Sequence, residues 1–542
     1  MVQPIQHLIG SQRFDKKEEL KMKKLSILIV VIVFTFVSFS FVHGYGFPVQ
    51  ELNEDSHLRG LSHYIEKKME EWKVPGLAIG VIQNDSVIFL RGFGFRDISK
   101  KLPVTPQTLF GIGSCSKAFT AMAISMLIDD GKFEWDTPIR EFMPDFRLYD
   151  EYATIHATSR DLLYHRTGIR GHNMVKNISS IDRADLFKIL RYLEPNKGFR
   201  EYFQYSNLIY QVAGHIVDRT SGSTYEQFVS ERIFKALGMR NSTASLEEFQ
   251  KLDNIAHPYL NFSPRSTWGK VFFNSDYYSI IKSYNNLIAP SGGIYSCVED
   301  MVEWLKLHLN EGKVGKERIV SAQNLRIMHT PTMGIRYYPN NKEEPLSAYG
   351  MGWYIRSYRG NYLLEHGGQL DGYMAHVSFM PFEKIGVVVL TNLYYQHLAT
   401  IVTDYIYDHL LGLEWIDRSE ESLKSLESAS KALEKRTAEF WTNRPKPIDA
   451  THSLEKFAGI YENVGYGRIE VVHENNTLQV VFKNMFRVPL RHFNHNVFAT
   501  ESGIWDYNHI KFHFYMNEKN EINTLAIPLE SSVDDIVFNR IK

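Results

Sequence analysis

GIGSCSKAFTAMAISMLIDDGK, residues 111–132, is a helix by its spacing. Phe119, Met122, Ala123, Met126 and Leu127 recur at i, i+3, i+4, i+7 and i+8, and Gly131 offers a C-terminal stop. Ala118, Ala121 and Ile124 cover the other side, so the helix is expected to be buried nearly all round. Its first turn holds two serines and one lysine. Ser114 and Lys117 are three apart and share a face, whereas Ser116 points about 100° away from its neighbour. Ser114 is therefore the serine the lysine serves. Burial disfavours an ammonium, and a serine hydroxyl needs a neutral base to take its proton, so a desolvated Lys117 is costly to the fold and useful to chemistry. A helix N-terminus also favours negative charge developing nearby. The plain alternative is a capping serine beside a lysine that reaches solvent, and S-x-x-K alone does not separate the two.

Outward from this helix, the chain reads as one sheet interrupted by a helical insertion. VPGLAIGVI (74–82) and SVIFLRGFGF (86–95) are β-rich runs around the turn QND, which predicts a hairpin. After a long, mixed helical stretch, NYLLEHGG, YMAHVSFMP and KIGVVVLTN, between 361 and 392, predict a three-stranded antiparallel meander. SEESLKSLESASKALEKRTAEFWTN (419–443) predicts a helix, and RPKP a stiff linker after it. Beyond it, RIEVVHENNTLQVVFKN holds two strands around HENN, and similar alternation to the end predicts a small antiparallel β domain, in the form of a barrel. The expected divisions are 1–44 leader, 45–415 core, 416–449 helical linker and 450–542 β domain.

The whole chain narrows the chemistry. It has 542 residues, and 61 Lys+Arg against 62 Asp+Glu leave it near neutral. No basic field for nucleic acid is expected, and a small-molecule or peptide substrate fits better. Cys115 and Cys297 are the only cysteines, too few for a disulfide scaffold, and spacing does not say whether they pair. Lys21, Lys23 and Lys24 precede an uncharged apolar run from Leu25 to Val42, followed by small Gly44. This pattern predicts export, to a secreted or periplasmic location after cleavage, or a membrane tether through residues 25–42 if the leader is retained. N-x-S/T triplets at Asn84, Asn177, Asn241, Asn261 and Asn475 decide nothing. No HExxH, Cys/His zinc spacing, Walker loop or GxGxxG occurs, so neither metal nor cofactor is implied, and G-S-C-S-K lacks the second glycine of a nucleophile elbow.

Three motifs in order change the weight of Ser114 and Lys117. Ser114-Cys115-Ser116-Lys117, Tyr205-Ser206-Asn207 and His366-Gly367-Gly368 resemble the S-x-x-K, Y-x-N and [KH]-x-G motifs of the serine β-lactamase and penicillin-binding-protein superfamily, in its class C-like, peptidase S12 branch. LLYHRTGI (162–169), PSGGIYSCVEDMVEW (290–304) and YGMGW (349–353) resemble the same family, so the likeness spans about residues 55–410. The C-terminal domain looks like the lipocalin-like extension of some members. The resemblance implies an α/β fold: a β-lactamase/transpeptidase-like antiparallel sheet flanked by helices, with an inserted helical region and a small antiparallel β domain.

The resemblance also implies roles. Ser114 is the acylated nucleophile and Lys117 its base. Tyr205, as phenolate or through its hydroxyl, shuttles protons, with Lys117 either supplying positive charge that eases its ionisation or exchanging protons with it, and the two titrating as a coupled pair. Asn207 holds Lys117 or the substrate. His366 stands at the end of its strand, and Gly367 and Gly368 let substrate approach the backbone. The backbone N–H groups of Ser114 and Gln369 form an oxyanion hole. A histidine in place of lysine leaves the site without a permanent cation for a substrate carboxylate. His165 is expected to order a loop, and Cys115 to be a small core residue. The implied activity is a serine hydrolase acting through an acyl-enzyme on amide, ester or β-lactam carbonyls. The alternative is a catalytically reduced penicillin-binding or peptidoglycan-recognition module, and a third reading has the β domain covering the cleft or aiding assembly.

Overall fold

The structure is a computed structural model that describes residues 58–178, 181–260, 286–335, 347–394, 396–482, 486–501 and 509–541. The expected leader and Asn261 lie outside the described residues. Helix α1 (Leu61–Trp72) precedes strands β1 (Gly76–Gln83), β2 (Ser86–Asp97) and β3 (Leu102–Pro103). The chain then runs through helices α2 (Ser116–Asp129), α3 (Asn207–Ser221) and α4 (Val298–Leu309). It returns to the sheet as β4 (Met333–Gly334), β5 (Ser347–Tyr349), β6 (Tyr354–Tyr358), β7 (Asn361–Leu370), β8 (Tyr373–Met380) and β9 (Ile385–Thr391). The nine strands order as β3-β2-β1-β9-β8-β7-β6-β5-β4, and every pairing is antiparallel. The expected hairpin and meander thus meet at the pairing of β1 with β9, from Leu77 opposite Thr391 to Gln83 opposite Ile385.

The central strands read as continuous apolar runs because both faces are covered. Side chains alternate along a strand, so Leu77, Ile79 and Val81 pack with α1 and helix α5 (Leu398–Leu410), while Ala78 and Ile82 join the core containing Val302 and Leu305 of α4. Each fully buried Val or Ile contributes about 1.5–3 kcal/mol of transfer free energy. The helical insertion lies on the α4 side. Among its elements, α2 is buried from Ser116 to Ile128, as its apolar sequence requires. It ends at Gly131, φ 70°, whose N–H and that of Lys132 return to the carbonyls of Ile128 and Leu127.

Helix α6 (Ser419–Thr442) leads to a closed eight-stranded antiparallel barrel: β10 (Gly459–Asn463), β11 (Gly467–Glu474), β12 (Thr477–Phe482), β13 (Phe486–Asn494), β14 (Val497–Thr500), β15 (Lys511–Met516), β16 (Ile522–Ile527) and β17 (Ile536–Arg540). Closure removes exposed edges, and the interior is packed with side chains, Phe457 lying 5.1 Å from Phe498 and 5.2 Å from Phe514 between ring centroids. This is the lipocalin-like β domain the sequence led us to expect. Cys115 and Cys297 are free and buried, which settles the pairing left open by their spacing. Among the described residues, no helix is long and apolar enough to cross a membrane.

Candidate active site

The two serines at the start of α2 have different surroundings. Gly113–Cys115 forms a 3-10 turn ahead of the helix, with Gly113 at φ 51°. A Cβ on Gly113 would collide with the backbone of Gln369, so the turn and β7 touch through their main chains. Ser116 is fully buried; its Oγ donates to the Gly113 carbonyl at 2.7 Å and accepts from the Ile294 N–H at 3.1 Å. Those bonds fix the turn. Ser114 is half-buried and faces an open cleft of about 760 Å³, which Tyr205, Asn207, Gly367, Gly368 and Gln369 also line.

Lys117 is fully buried beneath Ser114. Its Nζ lies 3.1 Å from Ser114 Oγ, 2.8 Å from Asn207 Oδ1 and 2.7 Å from the Ser291 carbonyl oxygen. Burial holds its pKa well below the ordinary lysine value, and nearby Lys176 pushes the same way. A neutral amine has two N–H groups and one lone pair. Asn207 Oδ1 and Ser291 O can only accept, so they take the two N–H groups and leave the lone pair facing Ser114 Oγ–H.

Tyr205 donates its hydroxyl to Ser114 Oγ at 2.9 Å. Of the two expected forms, the phenolate does not hold and the hydroxyl does: burial raises the Tyr205 pKa well above the ordinary value, with the neighbouring Tyr354 adding to it. Both groups sit in the same desolvated pocket, where separating charge is expensive, so the pair rests as neutral amine and neutral phenol. Tyr205 is held by His165, whose carbonyl accepts from the Gln204 N–H at 2.7 Å and whose Nδ1 accepts from the Ser206 N–H at 3.1 Å. His165 orders the loop, as expected.

His366 departs from its expected place. β7 continues past it to Leu370, with Gly367, Gly368 and Gln369 paired to His376, Ala375 and Met374. The histidine is therefore internal to the strand and 2 % exposed. Its Nε2 lies 3.0 Å from Tyr349 Oη and its Nδ1 2.7 Å from the Gly367 carbonyl. The carbonyl can only accept, so Nδ1 carries the proton and Nε2 accepts from Tyr349. Burial and the adjacent Lys117 push its pKa down to about 3, so it is uncharged near neutrality. Both glycines line the cleft, and they do different work there. Gly367 opens on free space, but a Cβ on Gly368 would strike the Ile112 carbonyl, so Gly368 serves the contact between β7 and the Ser114 turn.

Residues 61–410 match the Beta-lactamase family. The chain belongs to that family. Residues 443–540 match a domain of unknown function, DUF3471. The unguisins hydrolase ungD of Aspergillus violaceofuscus is 27% identical over 446 residues, covering 78% of this chain and 77% of that protein. Protein flp of Staphylococcus aureus is 25% identical over 348 residues, covering 62% and 64%. Among solved structures, the octameric penicillin-binding protein homologue from Pyrococcus abyssi superposes with TM-score 0.57 at 23% identity, over 89% of this chain and all of that one. A class C beta lactamase from Rhodobacter sphaeroides gives TM-score 0.51 at 21% identity, over 65% and 99%. These two share the fold.

This Beta-lactamase-family site also uses groups the sequence reading did not single out. The Ser291 acceptor is a main-chain carbonyl on the one-turn helix Ala289–Gly292, which no side-chain motif announces. Tyr349 and Tyr354, within and beside YGMGW, complete an aromatic wall around Tyr205 and His366, at 4.9–6.4 Å between centroids. Leu529 and Glu530 reach the cleft from the barrel. Among the described residues, no group of three or more His, Cys, Asp or Glu side chains is arranged to hold a metal.

The family core carries a pH liability. Burial lowers the pKa of His165 and His308 well below the ordinary value, and that of His329 and His366 to about 3. As pH falls below about 6.5 the unfolded chain takes up protons that the fold refuses, so stability is full above that pH and declines toward 3. Asp404, raised by burial to about 6, opposes this as a single group against these four and the likewise lowered His172 and His397. The melting temperature is expected to fall steadily from pH 6.5 to 4 in differential scanning fluorimetry. A flat profile over that range would contradict these assignments.

Proposed function

We infer that the chain is a serine hydrolase working through an acyl-enzyme on Ser114, with compact amide and ester carbonyls as its substrates. The observation that carries this is one hydroxyl, Ser114 Oγ, lying 3.1 Å from a buried amine and 2.9 Å from a buried phenol at the floor of an open cleft. Ser114 Oγ attacks the carbonyl carbon as its proton passes to Lys117 Nζ. The N–H groups of Ser114 and Gln369 receive the developing oxyanion. As the intermediate collapses, Tyr205 gives its proton to the leaving group and regains one from the Lys117 ammonium. Water then attacks the ester, losing its proton by the reverse route, and Ser114 is released.

Neutral His366 supplies no charge for a carboxylate, which supports β-lactams as poor substrates. The name of the Aspergillus relative supports hydrolysis as the reaction class. The basic and apolar stretch 21–42 supports an exported protein, or a tethered one if it is retained.

The test is a fluorophosphonate probe followed by mapping of the adduct, with nitrocefin, p-nitrophenyl acetate and D-alanyl p-nitroanilide as substrates. An adduct on the peptide containing Ser114, with ester hydrolysis exceeding nitrocefin turnover, is expected. Folded protein that takes no adduct and turns over none of the three is instead the binding module. Tyr205→Phe is expected to lower turnover about 100-fold, the usual scale of one proton-transfer group, while still forming the adduct. An unchanged kcat would remove Tyr205 from the mechanism.

A further inference from the structure

The cleft over Ser114 has a wall that comes from outside the sheet-and-helix core. Leu529 and Glu530, on the connection between β16 and β17, line it beside Met174 and Lys176. Leu529 is 9% exposed and Glu530 half-buried, so both are anchored rather than free in solvent. Glu530 Oε2 accepts from the His172 N–H at 2.9 Å, and its Oε1 accepts from Ser532 Oγ at 2.7 Å. The approach is so close that a Cβ on Gly171, φ 71°, would collide with the carboxylate. Barrel residue Tyr466 adds a second clamp, its hydroxyl 2.7 Å from His172 Nδ1, while His172 Nε2 lies 2.9 Å from the Glu194 carbonyl. The short helix Val175–Ile178 rests on β11. Residues 171–178 are thereby held by the barrel. Asn173, on that segment, accepts from Asn207 Nδ2 at 3.4 Å, and Asn207 is itself a partner of Lys117.

We propose that Leu529 and Glu530 form a specificity wall through which the barrel limits the length of the acyl group that Ser114 accepts. The proposal rests on the hydrolase reading and deepens it. Leu529 is the stop itself, an apolar side chain in the path of an extended chain. Glu530 is a positioning residue, because it acts by bracing 171–176 rather than by meeting the reacting atoms. The wall selects compact acyl groups over extended peptidyl ones, and it does so without changing the chemistry at Ser114.

The test uses the full chain and compares kcat/KM for p-nitrophenyl acetate with that for the p-nitrophenyl ester of an N-acetylated dipeptide. Leu529→Trp is expected to lower the dipeptidyl ester at least tenfold while the acetate stays within twofold. Glu530→Ala, which removes the brace, is expected to shift the ratio at least threefold toward the dipeptidyl ester. Glu530→Gln, which retains an oxygen acceptor for the His172 N–H, is expected to behave like the wild type. Should Leu529→Trp fail to fold, shown by lost acetate hydrolysis and a lost melting transition, the pair at Glu530 decides alone. An acetate-to-dipeptidyl ratio constant within twofold across the folded variants overturns the wall. If wild-type protein forms no Ser114 fluorophosphonate adduct, the hydrolase reading has failed and the wall falls with it; an adduct with constant ratios is failure of the wall alone.

Discussion

Ser114→Ala is expected to abolish fluorophosphonate labelling and lower kcat by on the order of 10³ to 10⁶, the range seen when a covalent nucleophile is removed. The change removes the oxygen that accepts from Tyr205, but in an open cleft where water can take its place, so the melting temperature should fall less than when a fully buried hydroxyl is lost. Ser116→Ala is the matching control, and its outcome should be the reverse. It removes a buried hydroxyl that bonds the Gly113 carbonyl and the Ile294 N–H, leaving two main-chain groups unpaired at about 1–3 kcal/mol each. Stability should fall while labelling persists. If Ser116→Ala loses the adduct at a preserved melting temperature, the assignment of the two serines is wrong.

Lys117→Ala is expected to lower kcat by on the order of 10³ to 10⁴, the upper range for a general base. The more discriminating change is Lys117→Arg. A guanidinium keeps positive charge and hydrogen-bond donors but does not deprotonate, so it can replace an electrostatic anchor and cannot replace a base. Lys117→Arg should therefore be as inactive as Lys117→Ala. Recovery of activity in the arginine variant above a tenth of wild type would show that Lys117 works through its charge. Asn207 adds a graded test of the same idea, since its Oδ1 takes one of the two N–H groups that orient the lone pair.

The parts of this account that were legible in sequence are those with a local pattern. Helix α2 announces itself by an apolar period on all sides, and burial of the whole segment from Ser116 to Ile128 follows from it. The hairpin, the meander and the barrel strands alternate or run apolar over short stretches between turn residues, and a period of two carries that information. The family resemblance brought Tyr205 and the β7 glycines to Ser114 across 91 and more positions, and the geometry puts them there. What was not legible depends on partners without a local signature. The strand was read as NYLLEHGG with His366 towards its end, yet pairing with β8 carries β7 on to Leu370 and leaves the histidine internal. An ionised Tyr205 was one of two readings, drawn from its charged neighbour, whereas desolvation shared by both groups decides against it. Ser291 acts through a carbonyl, and Leu529 and Glu530 come from a separate β domain, so no motif near Ser114 points to them.

Catalysis at Ser114 depends on an amine that is neutral before any substrate arrives. The most direct measurement is the second-order rate of Ser114 phosphonylation by a fluorophosphonate, followed from pH 6 to 10.5 in wild type and in Lys117→Arg. Because the base acts only when deprotonated, the wild-type rate should rise through the Lys117 pKa and level off well below the ordinary lysine value of 10.5. The arginine variant should be slow and show no such step. A wild-type rate that climbs tenfold per pH unit all the way to about 10.5 would mean an ordinary, charged Lys117, and the mechanism built on it would be contradicted.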